Sequence, residues 1–385
     1  MIEEARIKKN LEKFTFPRLS GTIFELKAFD RLMQELEGLN LNFDIQSFSF
    51  SSFYSRIYPK IAFSSISIIS FILYLNIHMM IFLPLILILF SILITSVILT
   101  RKPEKIQFIK KLNSQNIIVK IKSKSNEIKN NDRIALFISH IDSKGQRFKI
   151  KTRIRIIKLW IYSSIILMII ITLKNFIVIG FEITFYIIGL VPLILNILAS
   201  ILILLNITDN TSEGAIDNAS GIACNLELLN YYNLPENKLT NYNMWFLFTG
   251  AEECGTMGIR HFYNNLENFD PIHSIIFNFE SITNHFYIFP AVKGAHAKNI
   301  DYLLLNNKRN LPTIHYHTER ILGTHSDGVF LGDRDFQGFE FGEVDAYNYM
   351  HTPNDTIDKI DTKILEKLCL VLTDALKEHD LSFFK

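Results

Sequence analysis

Residues 243–255 read NMWFLFTGAEECG: a short apolar run, a Thr-Gly-Ala turn, and then two adjacent carboxylates, Glu252 and Glu253. An apolar run of this length closed by a glycine turn reads as a buried strand. Side-by-side carboxylates repel each other, and outside a cation site they are ordinarily solvated. Directly after a buried strand, however, they stand where open α/β sheets form their crevices. Other stretches extend the same pattern. NIIVKI (Asn116 to Ile121), RIALFI (Arg133 to Ile138) and SIIFNF (Ser274 to Phe279) are strand-like, and Phe43 to Phe53 alternates apolar with polar residues. Gly221 to Tyr231 has a helical pattern. Thr22-Ile-Phe-Glu25 reads as a capping box, with apolar positions following at Leu26, Phe29, Leu32, Met33 and Leu36 and a stop at Gly38. Alternating strands and helices predict an α/β three-layer sandwich around a mixed, mostly parallel sheet.

Acidic and histidine residues gather at the ends of these elements. In chain order they are His140 and Asp142 in FISHIDS, Asp217 in GAIDNASG, Glu252 and Glu253, Glu280 in NFES, and His351 in HTPND. Singly, each has a plainer reading: a satisfied histidine, a helix cap at Asp217, a loop at His351 with Thr352-Pro-Asn-Asp355 starting a helix. Jointly, two histidines and three carboxylates suffice for two zinc ions, and one further carboxylate remains as a base. Other divalent metals also fit such ligands.

Long apolar runs interrupt this set. Residues 61–100 contain no Asp, Glu, Lys or Arg, and residues 159–173 and 183–206 are similarly apolar around KNFIVIGFE. A bilayer crossing takes about 20 helical residues. The first run divides near Asn76-Ile-His78, and the second turns at Lys174, Asn175 and Glu182. A buried core helix is the alternative, but runs of this length are rare in soluble cores. Candidate ligands flank the second run and must fold together, so each insertion crosses an even number of times. Two hairpins are expected, dividing the chain into 1–60, 101–156 and 207–385 of a polar domain and hairpins at 61–100 and 157–206. Arg56, Lys60, Arg101, Lys102, Lys105, Lys110 and Lys111 flank the first hairpin, and Lys149, Lys151, Arg153, Arg155 and Lys158 precede the second. The positive-inside rule then places the polar domain in the cytoplasm of a multi-pass membrane protein. His78, inside an apolar run, is expected in a hairpin turn.

Composition excludes several classes. The chain has 385 residues, a net charge of only +2 and three cysteines without paired spacing. Nothing global points to nucleic acid, and a disulfide framework is not expected. No secretory signal peptide is read in the first sixty residues, and the sequence leaves the oligomeric state open.

Taken together, these motifs resemble the co-catalytic zinc aminopeptidase family, metallopeptidase family twenty-eight. FISHIDS, GAIDNASG, FTGAEECGTMGIRHF and HTPNDTIDKID are similar to its site motifs, and FPRLSGTIFELKAF to its opening helix. The resemblance covers residues 14–53, 114–145 and 210–380. It implies a zinc aminopeptidase-like fold in which Asp217 bridges two metals, His140 and Glu280 complete one site, and Glu253 and His351 the other. It also implies Glu252 as general base, Asp142 orienting His140, and a cis Asp217–Asn218 peptide. Glu280 stands where most soluble members carry Asp, and Met350 where many carry Tyr. Tyr349, with Tyr347 nearby, and His325 of His325-Ser-Asp327 are the candidate substrate contacts; Asp327 reads as structural. The implied activity is removal of N-terminal residues from peptides by a metal-bridging hydroxide. Because the second hairpin lies close in sequence to Asp142 and Asp217, hydrophobic or membrane-bound peptides are the expected substrates. Two other readings share the motifs, a glutaminyl-cyclase-like acyl transferase and a non-catalytic receptor or scaffold.

Overall fold

In a computed structural model, residues 1–76, 79–106, 111–125, 133–177, 180–266, 269–285, 287–291, 294–306, 315–316 and 325–384 are described. They fall into two compact units. The polar unit comprises Met1–Phe50, Leu112–Gly145 and Asp209–Lys385; the second comprises Ser51–Lys111 and Gln146–Thr208.

The polar unit is built on an eight-stranded sheet. In chain order its strands are β1 Phe43–Ser51, β2 Lys111–Ile121, β3 Ile134–His140, β4 Asn243–Thr249, β5 Ile275–Phe279, β6 Tyr287–Ala291, β7 His315–Tyr316 and β8 Gly338–Gly342. Their spatial order is β1-β2-β4-β3-β5-β8-β6-β7. The central pairs β4–β3, β3–β5 and β5–β8 are parallel, and β2–β4 and β8–β6 are antiparallel. The sheet is therefore mixed and mostly parallel, as the sequence pattern predicts. Because β3, β4 and β5 run the same way, His140, Glu252 and Glu280 all emerge at one edge.

Strand side chains alternate between two cores. Ile117, Val119, Ala135, Phe137, Phe246, Phe248, Phe277, Phe279, Phe339 and Phe341 face one side and join residues of five helices. These are α1 Glu4–Phe14, α2 Ile23–Gly38, α7 Ser220–Asn233, α9 Ala295–Leu305 and α11 Thr362–Leu381. Ile118, Leu136, Ile138, Leu247 and Ile276 face the other side, toward α8 Met257–Asn264 and α10 Asp327–Gly332. Phe137 stacks between Phe246 and Phe277 with ring centroids 4.8 and 5.2 Å away. Emptying such a buried site to Ala costs about 3–5 kcal/mol. Cys224, Cys254 and Cys369 are buried.

Local differences from the sequence pattern have physical reasons. Gly38 is the last residue of α2, and the left-handed position falls to Asn40, with φ 54°. Thr22 caps α2 through the amide of Phe24 at 3.3 Å. Glu25 does not close a capping box on Thr22; it accepts from the Gly21 amide at 2.7 Å and reaches into the interior instead. Thr352–Asp355 forms a turn, and α11 starts only at Thr362, where Asp361 accepts from the Lys363 amide.

The second unit contains α3 Tyr58–Leu75, α4 Met79–Thr100, α5 Ile150–Thr172 and α6 Glu182–Leu205. Among the described residues, four helical stretches are long and apolar enough to cross a membrane: Phe53–Leu75, Phe82–Thr100, Ile150–Ile177 and Glu182–Leu205. The first run breaks at Asn76, which caps α3 in the left-handed conformation; His78 lies outside the described residues. The helix α5 begins before its apolar run, so Lys151, Arg153, Arg155 and Lys158 ride on its first turns. Long basic side chains tolerate this because the stem packs while the charge reaches water. Lys174 is not a solvated turn residue. It is buried on a π turn that continues α5, with its ammonium on the Tyr74 carbonyl and 4.0 Å from the Tyr186 ring centre. A polar knot joins α3, α5 and α6. The Ser67 hydroxyl meets Asn196 Oδ1 at 2.6 Å and Ser200 at 2.7 Å, and the Trp160 indole donates to Ser67 at 2.8 Å. Such satisfied groups hold apolar helices in one register.

Candidate metal centre

The site is assembled where β3, β4 and β5 end. His140 closes β3 opposite Thr249, the last residue of β4. Beyond Thr249 the chain turns through Gly250 and Ala251 into a 3-10 turn that carries Glu252 and Glu253. Glu280 follows β5 directly, its amide donating to Phe341 of β8 at 2.7 Å. Asp217 lies in the loop before α7, and its peptide to Asn218 is cis. His351 arrives from the loop after β8.

These residues converge on one buried point. Asp217 Oδ1 is 3.1 Å from His140 Nε2, and Asp217 Oδ2 is 3.0 Å from His351 Nε2. Glu280 Oε1 stands 3.2 Å from His140 Nε2, and Glu253 Oε1 3.0 Å from His351 Nε2. Two sets of three ligand-type groups result, each with its atoms within 4.8 Å: His140, Glu252 and Glu280, and Asp217, Glu253 and His351. Asp217 Oδ1 and Glu253 Oε1 are buried and accept no hydrogen bond. Buried carboxylates crowded in this way call for a shared cation. The donor set of imidazole and carboxylate fits divalent zinc.

The charges respond as such a cluster must. Burial, opposed mainly by His140, pushes the Glu280 carboxyl up to about 8. Burial likewise lifts Glu252 well above the carboxylate range, with His140 opposing and Glu280 and Glu253 adding to the rise. Burial would raise Asp217 too, but the close imidazoles of His140 and His351 outweigh it and hold Asp217 well below its ordinary value. Burial works against protonation of His140, yet Glu280, Asp142 and Asp217 raise it well above the usual histidine range.

A surrounding clamp fixes these loops. The Asp142 main-chain carbonyl lies 3.1 Å from His140 Nδ1 and its carboxylate 3.5 Å away, and that carboxylate accepts the amides of Glu252 and Glu253, each at 3.0 Å. Asp142 therefore orients the imidazole and the carboxylate turn together. Ser20 donates to Asp142 at 2.5 Å. Glu25 accepts from the Ala251 amide and the Ser114 hydroxyl, both at 2.9 Å. The fully buried Arg18 donates to the carbonyls of Ile141 at 2.7 Å, Glu213 at 2.8 Å and Gly214 at 2.9 Å. Asp355 accepts the Ile216 amide at 2.6 Å, pinning the Asp217 loop. The clamp offsets backbone cost: Ala251, Ser281 and His351 have φ of 53°, 57° and 61°, left-handed positions that cost about 1–3 kcal/mol each. Gly221 and Gly258 allow close packing beside the site, since a Cβ would stand 2.7 Å from the Phe279 carbonyl and 2.4 Å from that of Gly250 respectively.

All seven residues expected as ligands, base or orienting carboxylate meet here. The candidate substrate contacts divide. The Tyr349 ring lies 5.7 Å from the Lys359 ammonium, whereas burial and then the charges of Glu340, Glu280 and Asp217 push the Tyr347 hydroxyl up to about 12. His325 is exposed, its pKa lowered by partial burial and by Arg260 and Lys144. Asp327 pairs with the Thr249 hydroxyl, a structural contact. Sequence reading missed Lys144, whose ammonium pairs with Glu253 Oε2, and it missed the clamp roles of Arg18, Ser20, Glu25 and Asp355. The stretches that contain these four did carry a signal, the likeness of FPRLSGTIFELKAF to the family's opening helix and of HTPNDTIDKID to one of its site motifs.

Residues 199–375 match the family model of peptidase family M28. Among solved structures, the chain is similar to an aminopeptidase from Aneurinibacillus sp. strain AM-1, at 12% identity over 98% of this chain and 94% of that one, with a TM-score of 0.58. It is also similar to a zinc aminopeptidase from Bacillus subtilis, at 14% identity over 98% and 95%, TM-score 0.57. A glutaminyl cyclase from Fimbriiglobus ruber is similar at 13% identity over 98% and 95%, TM-score 0.56. Identities this low carry the fold, which is that of the zinc aminopeptidases. None of the curated proteins matches the chain.

Proposed function

We propose that this chain, a member of peptidase family M28 by its residues 199–375, is a membrane-embedded, two-zinc aminopeptidase. The observation that carries the reading is the position of Asp217, whose two oxygens face His140 and His351 from opposite ends of one carboxylate at 3.1 and 3.0 Å. His140 and Glu280 would hold one ion, Glu253 and His351 the other, and Asp217 both. Divalent ions there would polarise the scissile carbonyl and ease deprotonation of water. Glu252, whose backbone amide is held on Asp142, would take a proton from water and deliver it to the departing amine. Asp142 would keep the His140 ring aligned.

The assay that separates the readings is product analysis with peptides bearing free, acetylated or N-terminal glutamine ends. Free amino acids from unblocked peptides only are expected. Ammonia without chain shortening would favour a glutaminyl-cyclase-like acyl transfer, for which the Fimbriiglobus ruber neighbour is the supporting observation. Absence of any product would leave the scaffold reading.

The membrane part of the proposal rests on the four apolar helical stretches. Each insertion adds two of them between pieces of the polar unit, so the pieces stay on one side. The basic residues flanking both insertions support the cytoplasm as that side. Reporters fused after residue 50 and after residue 120 are expected in the cytoplasm together; opposite sides would sink the four-crossing topology. Hydrophobic or membrane-borne peptides are the proposed substrates, supported by the short chain paths from His140 to α5 and from α6 to Asp217.

A further inference from the structure

Three large apolar side chains stand exposed together at the start of α2: Ile23 at 74%, Phe24 at 46% and Leu26 at 45%. Scattered exposed apolar residues are ordinary on protein surfaces, but these occupy a single turn whose inner side is fully engaged. Ser20 holds Asp142, Thr22 caps the helix, and Glu25 is buried on Ala251 and Ser114. The turn is therefore firmly held, and its apolar face is a built surface.

The sheet fixes where this face lies. Gly21 packs on Leu112 so tightly that a Cβ would stand 2.7 Å from the Leu112 Cβ. Leu112 is the first residue of the polar unit after α3 and α4. In β2, Ile117 lies opposite Phe248 and Ile121 opposite Met244, so the residues before Ile117 run toward the Glu252 turn. The second excursion leaves from the same edge, since β3 ends at His140 and the polar unit continues only to Gly145. The chain rejoins the unit at Asp209, shortly before Asp217. Chain ends that continue into candidate spans thus emerge at the catalytic edge, which also carries Ile23, Phe24 and Leu26. Lys27, directly after Leu26 in α2, is exposed. Apolar side chains with a neighbouring lysine suit the boundary between lipid headgroups and acyl chains.

We infer that Ile23, Phe24 and Leu26 form a lipid-contacting surface of the polar unit, seated in the bilayer interface and presenting the catalytic edge to membrane-borne peptides. This rests on the membrane reading of α3 to α6. The test is nitroxide labelling of the full chain in phosphatidylcholine–phosphatidylglycerol vesicles, through single cysteines at Phe24→Cys, Ile23→Cys, Leu87→Cys in α4 and Glu236→Cys. The native cysteines are buried and do not compete for label. Glu236 is exposed in the turn before β4, at the opposite sheet edge. The ratio of collisions with oxygen to collisions with a water-soluble nickel complex is expected to be several-fold higher at Phe24 and Ile23 than at Glu236, and highest at Leu87. A high ratio at Leu87 with Phe24 and Ile23 equal to Glu236 overturns the surface alone. Low ratios at all four positions overturn the membrane reading and the inference with it.

Discussion

Glu252→Gln is expected to lower peptide hydrolysis by about 10²–10⁴-fold while leaving the metal content of the protein unchanged. The substitution keeps the shape of the side chain, and the backbone of residue 252 stays fixed by its amide on Asp142 Oδ1 at 3.0 Å. What is lost is the capacity to accept and return a proton. The loss should appear in kcat, with little change in KM, since a base acts in the transition state rather than in binding. Glu252 stands within 4.8 Å of the His140 and Glu280 ligand atoms, so metal content is the necessary second readout. Falling metal content in step with activity would make Glu252 a ligand rather than the base.

Asp217→Asn is expected to have the largest effect on metal, taking the content below about one ion per chain and abolishing activity. Both oxygens are committed, one toward each histidine, and Asp217 Oδ1 accepts no hydrogen bond that would stabilise it otherwise. A neutral amide supplies neither the charge nor two equivalent oxygens. Glu280→Gln touches only the His140 side, and its loss should be confined to one ion. Measuring metal content after dialysis against a weak chelator checks both. Retention of about two ions by the Asp217 variant would remove the bridging assignment.

The fold was legible where burial writes itself into composition. The runs at β3, β4 and β5 are nearly continuous apolar stretches, as strands covered on both faces must be, and the ligands follow them because parallel strands deliver their ends to one edge. β8 was not legible: GFEFG is short, glycine-flanked and stabilised by its neighbours β5 and β6. The helix α1 buries Ile7, Leu11 and Phe14 with helical spacing, but in a polar, lysine-rich segment that gave no strong signal. Contacts of the clamp join residues far apart in the chain, 122 positions for Ser20 and Asp142 and 226 for Glu25 and Ala251. Local spacing made Glu25 look like a helix cap, and tertiary partners outcompeted that local role. Lys144 illustrates the same limit, since nothing in FISHIDSK states that its ammonium meets Glu253.

The most direct test of the central claim is the metal-to-chain ratio of detergent-purified protein, determined by elemental analysis after adventitious ions are removed. A ratio of about two, mainly zinc, is expected from the paired ligand sets sharing Asp217. A ratio that stays at one or below under zinc saturation would contradict the two-metal centre.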